Sequence, residues 1–529
     1  MKTGLLACGL LSVLGYFLWA MPNQPQAADV TMPAQKFNSI SYAPYLAGQI
    51  PGQKPDPTAT GVASDLRLIA PLTNGIRTYS ISDENFDIGA LAQQAGLKLW
   101  LGIWLGSDKK RNAKEMAAGI AEANKYPNTI TRVVVGNEVL LRRDLSVNDL
   151  IADIDLVKAQ VKQPVAYADV TDYWKRFPQV APHVDVVMIH FLPYWEDKPL
   201  NVDKAIAQIA TTTEQFKKLF PGKVISIGET GWPSRGRWRD DAAPSRVNEA
   251  VFLRKFVTLA QQEGVDYNLI EAFDQDWKYR QEGVAGANWG IWNAHRVQKF
   301  PLNGGVVEHP DWPWYAALGA ICGCLLFGAT GLRNIRLALP SFALGNGFAI
   351  ACIGTLPMLY TNWLVLDAVV NLSLQAVFAL FVIRRADTLL AGQQPPPVTS
   401  AAATLAALRR GRLLFNYDSL TFIFMVSAAI FQVLLVVDPR YRDAPMPVFI
   451  IPVIAAVLRF WTRDKPASLG WEEILAADVL AVGALISGIR EGGLNLDFVT
   501  WTLAALVLAG PVLMVQDETT KRHQARRLK

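Results

Sequence analysis

Between Ala28 and Pro313 the chain has no cysteine at all, because Cys8, Cys322, Cys324 and Cys352 all lie in long apolar runs elsewhere. That excludes a disulfide framework and a thiolate metal site from this stretch. Histidine is scarce too, with five in 529 residues and no two at helix-face spacing, so zinc lacks ligands and neither a metal nor a cofactor is expected. Charged residues are only 18%, and the net +5 gathers in short loops and the C-terminal tail rather than in a stripe interleaved with aromatics. No nucleic-acid partner is expected. What the chain does have is apolar bulk, 51% of residues, weighted toward its two ends. That distribution fits neither a single soluble domain nor disorder, and the length suits roughly two to four domains.

The first apolar run, Gly4 to Met21, follows Lys2 and precedes a polar linker with Pro22 and Pro25. It reads as a retained anchor rather than a cleaved signal peptide, since the apolar core is long and the small-residue cleavage pattern weak. Seven further spans are expected, at 314–332, 337–358, 363–383, 419–437, 446–461, 474–489 and 498–515. Each is long enough, the shortest only marginally, to cross a bilayer of roughly 30 Å at 1.5 Å per residue. Alternate connections hold Lys2, then Arg333 and Arg336, then Arg384, Arg385, Arg409, Arg410 and Arg412, then Arg459, Arg463 and Lys465, then the tail. The opposite short loops hold only Arg440, Arg442 and Arg490. This bias puts both termini in the cytoplasm and the region from Ala28 to Pro313 outside. The expected domains are thus an anchor at 1–28, an external domain at 29–312, a polytopic membrane domain at 313–520 with a flexible cytoplasmic linker at 384–418, and a basic tail at 521–529. Asp367 and Asp478 fall inside spans, where a carboxylate is costly and is a functional hypothesis by default. Hydrogen bonds to Asn371, Gln375 or Gln432 are the favoured alternative.

Within the external region, runs rich in Val, Ile, Leu and aromatics recur at 38–45, 75–81, 98–106, 131–138, 163–170, 184–192, 223–232 and 265–274. Val133 to Val135 and Val184 to Ile189 are nearly continuous, as in parallel strands buried on both faces. Asn112 to Lys125, Ser146 to Val161, Val202 to Leu219 and Ser245 to Glu263 carry helical spacing between them. Eight strands with intervening helices predict an α/β fold, a (β/α)8 TIM barrel, preceded by one transmembrane helix and followed by an all-α bundle of about seven.

Chemistry in such barrels sits at the C-terminal strand ends. Strand four ends in Gly136, Asn137 and Glu138, and strand seven in Gly228, Glu229, Thr230, Gly231, Trp232 and Pro233. Two carboxylates facing each other across the barrel mouth can cleave a glycoside, one protonating the leaving oxygen and the other attacking. Trp195, Trp232, Trp277 and Trp289 are candidate platforms for pyranose rings. His190 reads as a hydrogen-bonded structural residue, while Asp169 and Glu196 sit near strand ends without a partner motif.

The segments Val135-Gly136-Asn137-Glu138 and Ile227 to Ser234 resemble glycoside hydrolase family 17, the β-1,3-glucanase family, and the resemblance spans roughly residues 38 to 300. Arg77, Tyr79, Pro193, Tyr194, Phe273, Asp274, Trp277 and Lys278 add to it, whereas Gln275 stands where many members have an acid. The resemblance implies retaining chemistry with Glu138 as acid/base and Glu229 as nucleophile. It implies Asn137, Arg77, Tyr79, Tyr194, Asp274, Trp277 and Lys278 as substrate contacts, with Tyr79 orienting Glu229, and the platforms Trp195 and Trp232 join them. The acid's pKa should be raised toward working pH, and the two carboxyl groups should lie about 5 to 5.5 Å apart. Similar membrane-bound bacterial proteins are associated with β-glucan remodelling, including β-1,3-glucosyltransfer that introduces β-1,6 linkages. The expectation is a transglycosylase in the periplasm, anchored in the bacterial inner membrane. Its substrate and partner is a β-glucan oligo- or polysaccharide, its other partner is the bilayer, and a separate glucan synthase supplies the polymer. Two alternatives stay open, an endo-β-1,3-glucanase that trims glucan and a non-catalytic glucan-binding component of a membrane assembly.

Overall fold

A computed structural model describes residues 2–28, 36–81, 85–355, 365–396, 400–464 and 470–527. The chain divides into two compact units, Pro25–Val306, and Met1–Gln24 together with Val307–Lys529.

The first unit is a closed barrel of eight parallel strands in sequence order. They are β1 (Ser39–Ser41), β2 (Gly75–Arg77), β3 (Lys98–Ile103), β4 (Ile130–Asn137), β5 (Val165–Val170), β6 (Val186–His190), β7 (Val224–Thr230) and β8 (Asp266–Leu269). The continuous apolar runs follow from burial on two faces. Along β4, Val133 and Val135 pack outward against the helical layer, while Val134 joins Trp100, Ala166, Ala168, Val186 and Met188 in a separate inner cluster. Arg132 is also buried, its guanidinium 4.0 Å over the Trp100 ring and bonded to Ser226 (3.0 Å) and Asp266 (2.6 Å). The helices begin where the sequence offers caps. Asp108, Ser146, Asn201 and Ser245 accept backbone N–H bonds at the starts of Lys109–Lys125, Val147–Lys158, Val202–Leu219 and Arg246–Glu263.

Strands β1, β2 and β8 are shorter than the sequence suggested. Past the ladder the backbone bonds to neighbouring segments instead, Ala272 N–H to Ser41 O, Glu271 N–H to Trp289 O and Asp274 N–H to Trp292 O. The residues expected to end strand eight therefore belong to a loop over the barrel mouth.

The second unit is helical. Among its described residues and the N-terminal helix, Lys2–Ala20, Ile335–Thr355, Leu366–Leu390, Tyr417–Val437 and Leu496–Val515 are long and apolar enough to cross a membrane. Trp312–Gly328 and Met446–Thr462 are apolar but have 17 residues, a rise of about 26 Å. The remaining expected run, 474–489, falls in Trp471–Glu491, which carries Glu472, Glu473, Asp478, Arg490 and Glu491. The N-terminal helix packs inside this unit, with Trp19 Nε1 donating to Asn346 Oδ1 (2.8 Å) and its ring stacked on Tyr315. Helices Trp312–Gly328 and Ala338–Thr355 approach so closely that a Cβ on Gly345 would lie 2.4 Å from Gly319 O.

Two membrane-side expectations are corrected. The stretch 384–418 is not a free linker where it is described. Residues 384–390 continue a helix, Ala401–Arg409 forms another, and Arg385 grips Asp464 through two bonds of 2.6 and 2.9 Å. Nor do Asp367 and Asp478 bond to the expected amides. Gln375 donates to Asn371 (2.7 Å), Gln432 bonds Ser487 and Trp501 (2.8 Å each), and both aspartates face outward on their helices. Residues 356–358, 363–364, Lys465 and the side chains of the 521–529 tail lie outside the described residues.

Candidate active site

The mouth of the barrel gathers groups from β1, β2, β4, β6 and β7 around two carboxylates. At the end of β4 the backbone turns sharply, with Gly136 at φ 86° and Glu138 at φ 52°. A side chain at Gly136 would meet Val139 at 2.8 Å, and a positive φ at a glutamate is unfavourable, so the turn has to be held by its surroundings. Glu138 N–H donates to Ala168 O (2.8 Å), Arg142 N–H to Glu138 O (2.9 Å), and the Arg142 guanidinium to Asn137 O. The turn leaves Glu138 facing the cleft beside His190, with Nδ1 to Oε1 at 2.8 Å.

Glu229 lies in β7, 5% exposed, and its Oε1 accepts from Tyr79 Oη (2.8 Å) and Arg77 Nη1 (3.2 Å). Tyr79 is steadied by Ser41 Oγ at 2.7 Å. Arg77 is itself buried and reaches four groups: Glu229, Gly228 O (2.8 Å), Asn137 Oδ1 (2.6 Å) and His190 Nε2 (3.2 Å). Because a guanidinium only donates, His190 Nε2 must accept, and in the neutral ring Nδ1 then carries the proton given toward Glu138. The bond from Arg77 also fixes the Asn137 amide, with its Oδ1 as the acceptor and its Nδ2 left as a donor.

One oxygen each of Glu138 and Glu229 and a nitrogen of His190 lie within 4.8 Å of one another. Such a trio has the donor chemistry for a cation, but Arg77, 3.2 Å from both Glu229 and His190, already supplies positive charge there. The nearest carboxylate oxygens thus approach more closely than the roughly 6.5 to 9.5 Å that separates the carboxyl groups of an inverting pair.

Burial pushes the Glu138 carboxyl up, but the hydrogen bond from His190 and the nearby charges of Arg142 and Arg77 outweigh it, and the group is held below its ordinary value. This corrects the expectation of a raised acid. Burial instead raises neighbouring carboxyls. Asp169 is pushed up to about 6 despite its bonds to Tyr167 and Val170 N–H, and Glu271 to about 7 despite its 2.7 Å bond from Lys278 Nζ. Burial lowers Lys278, yet the charges of Glu271, Glu282 and Glu229 leave it above its ordinary value.

Several expected substrate contacts are corrected. Trp232 is enclosed, its Nε1 bonded to Ala243 O (3.0 Å), and it offers no open face. Tyr194 is wholly buried and donates to Arg237 O. Asp274 is spent on Lys299 Nζ (2.9 Å) and Gly290 N–H (2.8 Å), and Arg77 holds Glu229 and Asn137 from below rather than meeting a ligand. Trp289 is buried, stacked behind Trp195 at 6.3 Å. Gln275 is enclosed as well, accepting from Trp277 Nε1 (2.9 Å) and donating to Phe273 O (3.1 Å). Trp195 and Trp277 remain half-exposed, the latter with its edge toward Tyr45. The sequence reading missed His190 as a bridge between the carboxylates, Arg142 as the brace of the β4 turn, and Glu282, whose carboxyl feels both Glu138 and Glu229. Only His190 left a signal, a polar residue ending an apolar strand.

Residues 39–290 match the family model described as the BtgE/BtgC glycoside hydrolase domain. The chain is similar to a glucan 1,3-beta-glucosidase of Candida albicans, 27% identical over 303 residues that cover 53% of this chain and 98% of that protein. It is likewise similar to a glucan 1,3-beta-glucosidase of Schizosaccharomyces pombe, 28% identical over 256 residues, 45% of this chain and 79% of that one. Among solved structures, the glycoside hydrolase family 17 beta-1,3-glucanosyltransferase of Rhizomucor miehei shares 28% identity, with 50% of this chain and 97% of that one covered and a TM-score of 0.43.

Proposed function

We propose that the BtgE/BtgC-type glycoside hydrolase domain at residues 39–290 is a membrane-anchored, retaining β-1,3-glucan transglycosylase, remodelling glucan on the outer side of a bacterial inner membrane. The observation that carries the reading is the pair Glu138 and Glu229, with oxygens inside 4.8 Å at the barrel mouth. In this mechanism Glu229, aimed by Tyr79 and Arg77, attacks the anomeric carbon while Glu138 gives its proton to the departing glycosidic oxygen. Asn137 Nδ2 donates to the sugar 2-hydroxyl, a contact that strengthens as the ring gains positive charge. Glu138 then takes a proton from the incoming hydroxyl, and that hydroxyl displaces Glu229. The activity of the two similar glucan 1,3-beta-glucosidases supports β-1,3-glucan as the donor.

Transfer is favoured over trimming by the architecture. Apolar helices long enough to cross a bilayer confine the barrel next to glucan as it emerges, and confinement raises the local concentration of acceptor ends against water. The basic connections Arg333, Arg336, Arg409, Arg410 and Arg412 support a cytoplasmic placement of both termini and an external placement of the barrel. The two glucan 1,3-beta-glucosidases favour the second reading, hydrolysis. Full-length protein in detergent, given a β-1,3-gluco-oligosaccharide of one length, should yield products longer or more branched than the donor. Products only shorter than the donor establish trimming instead. Glu229→Gln should bind oligosaccharide and yield no product, and an unchanged product pattern would leave only a scaffold role.

A further inference from the structure

The helical unit contains a buried positive charge that the glucan chemistry does not use. Arg459 lies in the last turn of Met446–Thr462 and is 9% exposed. Its Nε and Nη2 are buried and, among the described residues, have no hydrogen-bond partner. One neighbouring carboxylate is already engaged, because Asp464 gives both oxygens to Arg385 at 2.6 and 2.9 Å, while its own backbone N–H donates to Arg459 O (3.0 Å). Tyr417 lies within electrostatic reach of Arg459, Asp464, Arg385 and Asp418. Around this group the positive charge is in excess, since Arg463 at the same helix end and Arg384 beside Arg385 are exposed.

A guanidinium is always charged, and an enclosed charge without a partner is strongly unfavourable unless an anion completes it. Trp461, at the same helix end, and Trp471, which starts the next helix, are 47% and 69% exposed. Exposed tryptophans at a helix end mark the depth of lipid headgroups. At that depth the common anion is phosphate, and two adjacent unpartnered N–H groups of one guanidinium match two phosphate oxygens.

We propose that Arg459 is the centre of a phosphate-binding site at this rim of the helical unit, supported by Arg463, that takes the phosphate group of an anionic lipid or a soluble phosphate. The inference rests on the membrane-embedded reading of these helices and is independent of the barrel's chemistry. The test is lipid binding by native mass spectrometry on the full chain in detergent, with dioleoylphosphatidylglycerol as probe and dioleoylglycerol as the phosphate-free control. Wild type should bind the phosphatidylglycerol saturably and the diacylglycerol not. Arg459→Gln should weaken binding about tenfold to a hundredfold, the loss of one charge-assisted contact. Arg440→Gln, in an opposite connection, should leave it unchanged. Displacement by millimolar inorganic phosphate identifies a soluble phosphate as occupant, and resistance to it identifies a lipid headgroup. Should Arg459→Gln fail to fold, the thermal shift of wild type decides, since phosphatidylglycerol must raise its melting temperature and diacylglycerol must not. Equal binding of both lipids, or equal binding by wild type and variant, overturns the site. A chain that stays in the aqueous phase without detergent would overturn the membrane reading itself, a separate failure.

Discussion

Replacing Glu138 by alanine tests both carboxylate roles at once. A general acid contributes about 10²- to 10⁴-fold, or roughly 2.7 to 5.4 kcal/mol, so kcat/KM on glucan should fall by that factor. With an aryl β-glucoside whose leaving group departs without a proton, the first step should be nearly spared and the glycosyl-enzyme on Glu229 should accumulate. Added azide, an anion that needs no base, then enters the space left by the carboxylate and releases β-glucosyl azide, the anomer that two successive inversions require. The structural cost is one stranded donor, since His190 Nδ1 loses its 2.8 Å acceptor. That is about 1 to 3 kcal/mol, with the melting temperature falling roughly 2 to 4 °C for each, so the variant stays folded. The pH dependence follows as well. The acid must carry its proton, and Glu138 is held below the usual carboxylate value, so wild-type kcat/KM on glucan should fall as pH rises through the carboxylate range. That limb should be absent for the variant on the aryl substrate. An equal loss on both substrates, or an α-azide product seen by NMR, would refute the assignment.

Arg77→Met removes the partner of a buried carboxylate and should cost about 3 to 5 kcal/mol in denaturant titration, along with activity. Trp195→Ala should weaken oligosaccharide binding by roughly twofold to tenfold in calorimetry, the worth of one aromatic contact. Trp232→Phe, which loses the bond to Ala243 O and leaves the space of one buried ring, should lower stability by about 1 to 3 kcal/mol and leave binding unchanged. Glu249, fully enclosed and pushed up to about 8 by burial against the opposing charge of Lys299, binds its proton more tightly folded than unfolded. Its contribution to stability is complete below the unfolded carboxyl value and is lost as pH rises toward 8, so thermal melts of Glu249→Gln should show a shallower decline over that window and a higher melting temperature than wild type at pH 8.

How much of this was legible in the sequence depends on how local each signal is. Val133, Val134 and Val135 announce a doubly buried strand because each residue on both faces must be apolar, and Ser146 or Ser245 announces a helix start because the cap is made within three residues. Glu138 and Glu229 could be paired because each ends a recognisable segment and the fold places those ends together. The fate of Trp232 and Tyr194 was not legible, because it is decided by the carbonyls of Ala243 and Arg237, and a backbone acceptor leaves no mark in the sequence. The same holds for Asp274, whose partner Lys299 lies beyond the last strand, and for the stretch 384–418, where pairing of Arg385 with Asp464 depends on helices far apart in the chain. Strands β1, β2 and β8 were read too long because apolar residues continue past the ladder to line the mouth.

His190 illustrates what only the folded geometry supplies. Arg77 can donate but never accept, so it fixes which imidazole nitrogen holds the proton, and that proton points at Glu138 Oε1. When Glu138 is itself protonated, its O–H cannot face this donor and must sit on the other oxygen, turned away from His190. Arg77 meanwhile holds Glu229 and Asn137 with the same guanidinium. Residues 77, 138, 190 and 229, drawn from β2, β4, β6 and β7, therefore act as one electrostatic unit in which a buried arginine, touching no sugar, determines where the acid's proton points. Arg77→Lys keeps the charge but not the fork, and should lower kcat far more than it raises KM.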